Sequence, residues 1–321
     1  MNYVLRRLVH GLVLLTAVSV LSFLMAELAP GDFLADLQLN RGISEETISI
    51  LRDRYGLEEP LAVRYLHWAK SVFRGEFGFS MVYQTAAGSL LLPRARNTLL
   101  LTVTALILAW CTAIPLGVWS AHRPGGIMDR TAAGLSSFLL ATPTIILGLS
   151  FLLLAARLDF FPTGGMVSLD FDKLGWAARL ADLARHLVLP ALALALSSFP
   201  VIYRHVRAAI GEVIDAPYLR AARGQGVGPF RRLFGHALKA AANPLISLFG
   251  LSLAGLLSGS LLIEVIMSWP GLGPLLLESI LARDVHLVVG AVLLSSVFLI
   301  GGNLLADLLL FWIDPRTREV R

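Results

Sequence analysis

Six apolar segments, at about residues 8–28, 97–120, 131–156, 187–206, 244–267 and 287–312, constrain this chain more than any other feature. A helix needs about 20 apolar residues to cross a bilayer, so each segment is long enough to span. Of the 321 residues, 56% are hydrophobic and 15% charged, whereas an ordinary soluble protein is roughly 25% charged. A soluble globule, a disordered chain, a collagen and a coiled coil are all excluded. What remains is an all-α polytopic membrane bundle with a modest soluble part. The single cysteine, Cys111, lies in an apolar run. It rules out a disulfide framework or a CxxC site and reads as a small buried hydrophobe.

The first segment could be mistaken for a leader, because Arg6 and Arg7 precede the apolar stretch Leu8 to Met25. A signal h-region has about 7 to 15 apolar residues and ends at a small-residue cleavage site. This stretch is longer and is followed by Glu27, Pro30 and Asp32, so a retained first span is expected. Pro190 and Pro200 interrupt the fourth segment, and Pro115 and Pro143 lie in the second and third. Proline is tolerated where neighbouring helices satisfy the freed carbonyls, which implies kinked, packed spans. Gly250, Ala254, Gly255, Ser258 and Gly259 predict a close approach of the fifth span to a neighbour.

Six spans place both termini on one side. Lysines and arginines split fourteen to thirteen between the two sides, but eight of the thirteen fall in the long segment 30–96. The positive-inside rule counts short loops near span ends, and without that segment the split is fourteen to five. Both termini are therefore expected to be cytoplasmic and segment 30–96 to face outward. That segment reads as a small helical subdomain. Ser44 caps a helix with Glu45 and Glu46 in its first turn, Ile43 and Ile48 form a hydrophobic staple, and Gly56 ends it. A second helix starts near Pro60, carries Leu61, Leu66, Ala69, Val72 and Phe73 at roughly helical spacing, and closes at Gly75. It reads as a lid on the bundle, with a substrate-facing or partner-docking role as the alternative.

Catalytic signatures are missing. A Walker A loop needs glycine before its lysine, yet Lys70, Lys173 and Lys239 follow Ala69, Asp172 and Leu238. The seven histidines form no HExxH or HxxxH pair, and there is no GxSxG elbow. His10, His122 and His205 lie near membrane boundaries, where an amphipathic ring is common without function. Neither catalytic residues nor a metal site is expected. Intramembrane ionisable groups are costly and often functional. Glu27 and Glu264 lie near outer span ends, where structural and functional readings are both open. Asn303, Asp307 and Asp314 share one face of the last helix. Capping, helix-to-helix hydrogen bonding or a salt bridge is the structural reading for them, and a proton relay is the alternative.

The loop between the fourth and fifth spans is the most informative stretch. Pro217 fits a helix first turn, Gly224, Gly226 and Gly228 stop that helix, and Pro229 opens another. Ala221, Ala222 and Gly226 leave room for close contact. Tyr218, Val227, Phe230, Leu233 and Phe234 offer apolar anchors in a loop otherwise facing water, and such anchors seek a partner groove. The alternative is a loop packed on its own bundle, with its arginines on anionic lipid.

This loop, Tyr218-Leu-Arg-Ala-Ala-Arg-Gly-Gln-Gly-Val, resembles the EAA loop of the permease subunits of ABC importers for dipeptides, oligopeptides and nickel, the inner membrane components of binding-protein-dependent transport systems. Ala221 and Ala222 occupy the small-residue pair and Gly226 the glycine that follows. His236-Ala-Leu and Pro244 stand at the family's spacing. Further matches are Leu28-Ala-Pro-Gly-Asp, Tyr55-Gly-Leu, Arg74-Gly-Glu-Phe-Gly, Ile114-Pro-Leu-Gly, Leu187-Val-Leu-Pro-Ala-Leu, Trp269-Pro-Gly-Leu-Gly, Ala282-Arg-Asp and Asp314-Pro-Arg-Thr-Arg. Each is weak alone; in order and at compatible spacing they cover essentially the whole chain. Arg220 stands where many relatives have an acidic residue, so no carboxylate contact to an ATPase is implied there. Gln225 stands where this branch often has lysine, which argues against an electrostatic contact but not against docking.

The resemblance implies a type I importer permease fold with six transmembrane helices. Residues 1–29 would form the cytoplasmic N-terminus and first span, 30–96 the extracytoplasmic subdomain, and 97–321 a five-helix core with a coupling loop at about 213–238. Tyr218, Leu219, Arg220, Ala221, Ala222, Gly226, Val227 and Phe230 would form the ATPase-coupling loop; Glu264, Asn303 and Asp307 are the intramembrane polar candidates. A second permease, two cytosolic ATPases and an extracytoplasmic solute-binding protein are the implied partners, in a bacterial or archaeal inner membrane. The chain would bind no cofactor itself, since ATP and magnesium belong to the ATPases. Membrane lipid is expected around it, and nucleic acid is not, because its arginines lie in short loops beside the membrane. The rival is a stand-alone ion-coupled carrier, which often shows internal repeats that are not evident here. Peptide-like solutes are the default cargo, since no chelating cluster for nickel is apparent.

Overall fold

The computed structural model describes residues 3–28, 46, 58–158 and 160–313. The predicted helix from Ser44 to Gly56, the Tyr55-Gly-Leu match, and Asp314 with its tail lie outside these residues, apart from Glu46. The helices are α1 (Tyr3–Leu28), α2 (Leu61–Phe73), α3 (Ala87–His122), α4 (Ile127–Ala141), α5 (Thr144–Arg157), α6 (Trp176–Val213), α7 (Pro217–Gly224), α8 (Ala242–Ile266), α9 (Leu272–Leu281) and α10 (Val285–Ile313). Among the described residues five helices are long and apolar enough to cross a membrane, and six spans result if α4 and α5 count as one.

That pair differs from the single third span expected at 131–156. α4 and α5 meet at a bend of 103°. Pro143 lacks an N–H and disfavours the helical region for the residue before it. Thr142 accordingly lies at φ −94°, ψ 116°, which ends α4. Pro190 and Pro200 do not break their helix: α6 runs 38 residues through both, starting well before the predicted 187. The surrounding helices supply the packing that the freed carbonyls need.

The chain divides into two compact units, one of residues 1–98 with 270–298, the other of residues 99–269 with 299–321. In the first, α1 meets α2 through aromatic packing of Phe23 with Tyr65 and Trp68, at centroid separations of 5.6 and 6.0 Å. Ser19 and Tyr65 hydroxyls lie 2.8 Å apart. Glu27 accepts a two-pronged bond from Arg64 at 2.6 and 2.8 Å, which ties α1 to α2. The buried face of α2 is therefore Tyr65, Trp68, Ala69 and Val72, whereas Leu61, Leu66 and Phe73, expected to share it, are exposed. Tyr65 and Trp68, which that spacing leaves out, decide the face.

A short antiparallel hairpin, β1 (Phe79–Ser80) and β2 (Thr85–Ala86), follows, with Phe79 opposite Ala86. Asp284 pins it by accepting from Ser80 Oγ at 2.6 Å and also caps α10 through the Leu287 N–H. Tyr83 donates to Glu278 at 2.8 Å, and this bond, with burial, holds its phenol above the usual range. Beneath lie Ala87, Leu91 and Ala95 of α3 against Leu272 and Leu275 of α9 and Leu287 and Ala291 of α10.

In the second unit α6 is the central helix, packed by α4, α5 and α8. Its buried stretch Ala191, Ala193, Leu194 and Ala195 mixes small and large side chains, which permits close helix approach. Gly250 of α8 fulfils the predicted close contact: a Cβ there would lie 3.0 Å from both Ala306 and Asn303 Oδ1 of α10. Across the same contact, a Cβ at Gly302 would overlap Leu253. Cys111 is exposed on α3 rather than buried. In an apolar solvent an outward-facing apolar residue carries no penalty, so hydrophobicity alone cannot place it inside.

Candidate functional site

The loop after α6 is built as two short helices around a glycine break. Pro217 occupies the first turn of α7, where its missing N–H costs nothing. α7 ends in a Schellman cap: Gly226 N–H donates to Arg223 C=O at 3.1 Å and Val227 N–H to Ala222 C=O at 3.0 Å. This geometry puts Gly226 at φ +80°, a region that side-chain-bearing residues enter only at a cost. A π-helical turn, Arg231–Ala237, then leads through Leu238–Ala240 into α8.

The loop has two faces. Leu219 is 2% exposed and Leu233 1%, both joined with Ala237 and Ala241 to the core around α6. These residues root the loop in its own bundle. On the other face Tyr218 is 51% exposed and Phe230 72%, with Phe230 stacked at 4.8 Å on half-buried Phe234. Arg220 and Ala221 are exposed, Ala222 and Val227 half-buried, and Arg220 Nε donates to Asp215 C=O at 2.8 Å. Nothing within 4 Å would meet a Cβ at Gly226, so the surface there is open. Tyr218, Arg220, Ala221, Gly226 and Phe230 are thus exposed, whereas Leu219 belongs to the anchor.

Residues 113–319 match the family model described as "Binding-protein-dependent transport system inner membrane component", and residues 1–88 match its N-terminal companion, "Binding-prot-dependent transport system membrane comp, N-term". The chain belongs to this permease family. It is 35% identical over 316 residues to the oligopeptide transport system permease protein AppB of Bacillus subtilis, covering 98% of each chain. It is 34% identical to the dipeptide transport system permease protein DppB of Escherichia coli and 32% identical to the glutathione transport system permease protein GsiC of Salmonella choleraesuis, covering 99% of each chain in both cases. Among solved structures, an inward-facing MetNI methionine ABC transporter superposes with TM-score 0.57 at 18% identity, covering 70% of this chain and 96% of that one. The fold is that of a type I importer permease, and the permease is a multi-pass inner-membrane protein.

The polar candidates in the spans separate in this fold. Glu264 is fully buried near the end of α8, and its backbone carbonyl accepts from Trp269 N–H at 2.8 Å. Asn303 packs against Gly250, and Asp307 is half-buried one turn further along α10. Among the described residues no group of three or more His, Cys, Asp or Glu is arranged to hold a metal ion.

Sequence reasoning missed a different polar centre, where α3, α4 and α6 converge. Asp129, the third residue of α4, is buried and accepts a fork from Arg207, at 2.7 Å from Nε and 3.0 Å from Nη2. The Gly125 N–H donates to the same carboxylate at 2.8 Å. The Tyr203 hydroxyl lies 3.1 Å from Ser120 Oγ and 3.4 Å from Asp129. One turn away Arg204 donates to Ser136 and Ser137, at 3.1 Å each. The available signal is Tyr203, Arg204 and Arg207 on one helical segment, with Asp129 just after a Pro-Gly-Gly turn; a count of charge per side registers the arginines only as charges beside a membrane.

Proposed function

We propose that this permease forms half of the translocation pore of an ATP-driven importer of peptides or similar small solutes, and that the face carrying Tyr218, Ala221 and Phe230 docks on a cytosolic ATPase. The observation that carries the docking is the two-faced loop. Large apolar side chains exposed beside water on one loop mark a surface that a partner can cover, and here Leu219 and Leu233 already satisfy the loop's own packing. A second, related permease completes the pore, two ATPases bind ATP and magnesium, and an extracytoplasmic binding protein delivers the solute. This chain binds no cofactor of its own. The loop and both termini are cytoplasmic, and segment 30–96 faces outward. Peptide cargo is inferred from relatives named for oligopeptide, dipeptide and glutathione transport.

ATP-driven closure of the ATPases displaces α7, and because α7 is rooted in the core by Leu219 the displacement enters α6 as a rigid-body shift. The test is purification in detergent of the chain expressed with its neighbouring transport genes, with ATPase activity assayed on the eluate. Recovery of ATPase subunits with the wild type, and their loss with Phe230→Asp while the permease stays folded, is the expected result. A stable permease that never brings an ATPase with it would restore the stand-alone carrier.

A further inference from the structure

We propose that the buried ion pair Asp129–Arg207 is the positioning link that makes α4 move with the coupling loop, and so sets how much solute crosses per ATP hydrolysed; this rests on the importer reading above. Arg207 lies within the last two turns of α6, and only Ile214, Asp215 and Ala216 separate α6 from α7. Leu219 and Leu233 pack into the core that also holds Tyr203, Val206 and Ile210 of α6. The loop and the end of α6 are therefore one body.

What α6 moves next depends on the α3–α4 connection. That connection is Arg123-Pro-Gly-Gly, with Gly125 at φ +76°. A turn carrying two glycines is a natural hinge, so how closely α4 follows α6 is set by what ties the two helices together where they pack. Asp129 is the charged tie. Its carboxylate ties the Gly125 N–H to the Arg207 fork, so turn, α4 and α6 share one set of charge-assisted bonds. α3 joins at the same level. A Cβ at Gly117 would lie 2.7 Å from Val206 and 3.2 Å from the Arg207 backbone nitrogen, and Ser120 meets Tyr203 one turn on. Three helices thus converge on a polar fulcrum whose single buried carboxylate holds two elements and the turn between them. From α4 the shift passes to the 103° bend at Pro143.

An ion pair that only stabilised the bundle would, when weakened, lower the amount of active complex without changing its efficiency. A positioning link changes the efficiency of each complex. The measurement is solute uptake and ATP hydrolysis by the purified complete importer in proteoliposomes with its binding protein and a dipeptide, expressed as solute moved per ATP. Asp129→Asn keeps the shape and removes the charge, and is expected to lower that ratio about fivefold, with Asp129→Glu recovering most of it. Tyr203→Phe keeps the ion pair and deletes one hydroxyl, and is expected to lower the ratio about twofold. An unchanged ratio in Asp129→Asn, with uptake and hydrolysis falling in parallel, overturns the proposal. If Asp129→Asn does not assemble, Arg207→Lys, which keeps the charge and gives up the two-pronged geometry, decides in the same way. A wild-type preparation with no ATPase activity at all would instead remove the importer reading beneath it.

Discussion

At the scale of single residues, Gly226 and Leu219 illustrate two different requirements in one short loop. Gly226 is needed first by its backbone, since φ +80° costs an ordinary side chain about 1–2 kcal/mol and asparagine less. Among the described residues no neighbour opposes a side chain there. Binding-protein-stimulated ATPase activity is therefore expected to fall in the order Gly226, Gly226→Asn, Gly226→Ala, Gly226→Trp. The step from alanine to tryptophan reports steric exclusion by a docked partner; equal activity in those two variants would leave only backbone strain. Leu219 behaves oppositely. Its truncation to alanine removes a fully packed side chain, for which a loss of about 2–5 kcal/mol is expected, read as a lower melting temperature of the permease in detergent. Tyr218→Ala, with half its surface free, should leave that temperature nearly unchanged and reduce ATPase recovery instead. Both residues are apolar neighbours in the sequence, so the residue types alone do not separate anchor from docking surface.

At the scale of elements, glycines and prolines govern how the helices meet. The contact of α8 with α10 depends on Gly250 and Gly302, each facing a side chain of the other helix, with a tight fit for a Cβ at Gly250 and no room for one at Gly302. Gly302→Val should overpack this contact and destabilise the bundle by about 1–3 kcal/mol. Adding Leu253→Ala should restore much of the loss, because it vacates the volume the valine needs. A double variant no more stable than Gly302→Val alone would show that the two positions are not coupled. The spans themselves could be read from hydrophobic length, and the loop's two helices from Pro217 and its glycines. The bend at Pro143 could not, since Pro190 and Pro200 have the same sequence signature inside an unbroken α6. Whether a proline kinks a helix gently or turns the chain through a right angle depends on what packs around the freed carbonyls, and that information belongs to other elements.

At the scale of the whole molecule, the proposed coupling requires the loop to lie on the cytosolic side of the membrane, with segment 30–96 expected on the other. A single cysteine in place of exposed Gln225, in a Cys111→Ser background, should react with a membrane-impermeant maleimide in inverted vesicles and not in intact cells. Labelling in intact cells would reverse the orientation deduced from the arginines and separate the loop from any cytosolic ATPase. The asymmetry of charge is a property of the sequence summed over its loops, so it was open to sequence reasoning. The Asp129–Arg207 centre was not, because its members are 78 residues apart and are joined only when α4 and α6 pack.

What the sequence determined by itself is everything carried by local chemistry: the number and length of the apolar segments, the charge bias between loops, the capped two-helix loop with its obligatory glycine, and the ordered motifs that resemble one permease family. Each follows from the free energy of a short stretch in water or lipid, and the stretch contains all the terms. Tertiary structure alone decided which apolar residues face inward, which proline breaks a helix, and which buried carboxylate meets which arginine. In a bilayer both the core and the surroundings are apolar, so hydrophobicity cannot distinguish inside from outside. Shape and hydrogen bonding between distant segments make that choice, as they do at Gly302 with Leu253 and at Asp129 with Arg207.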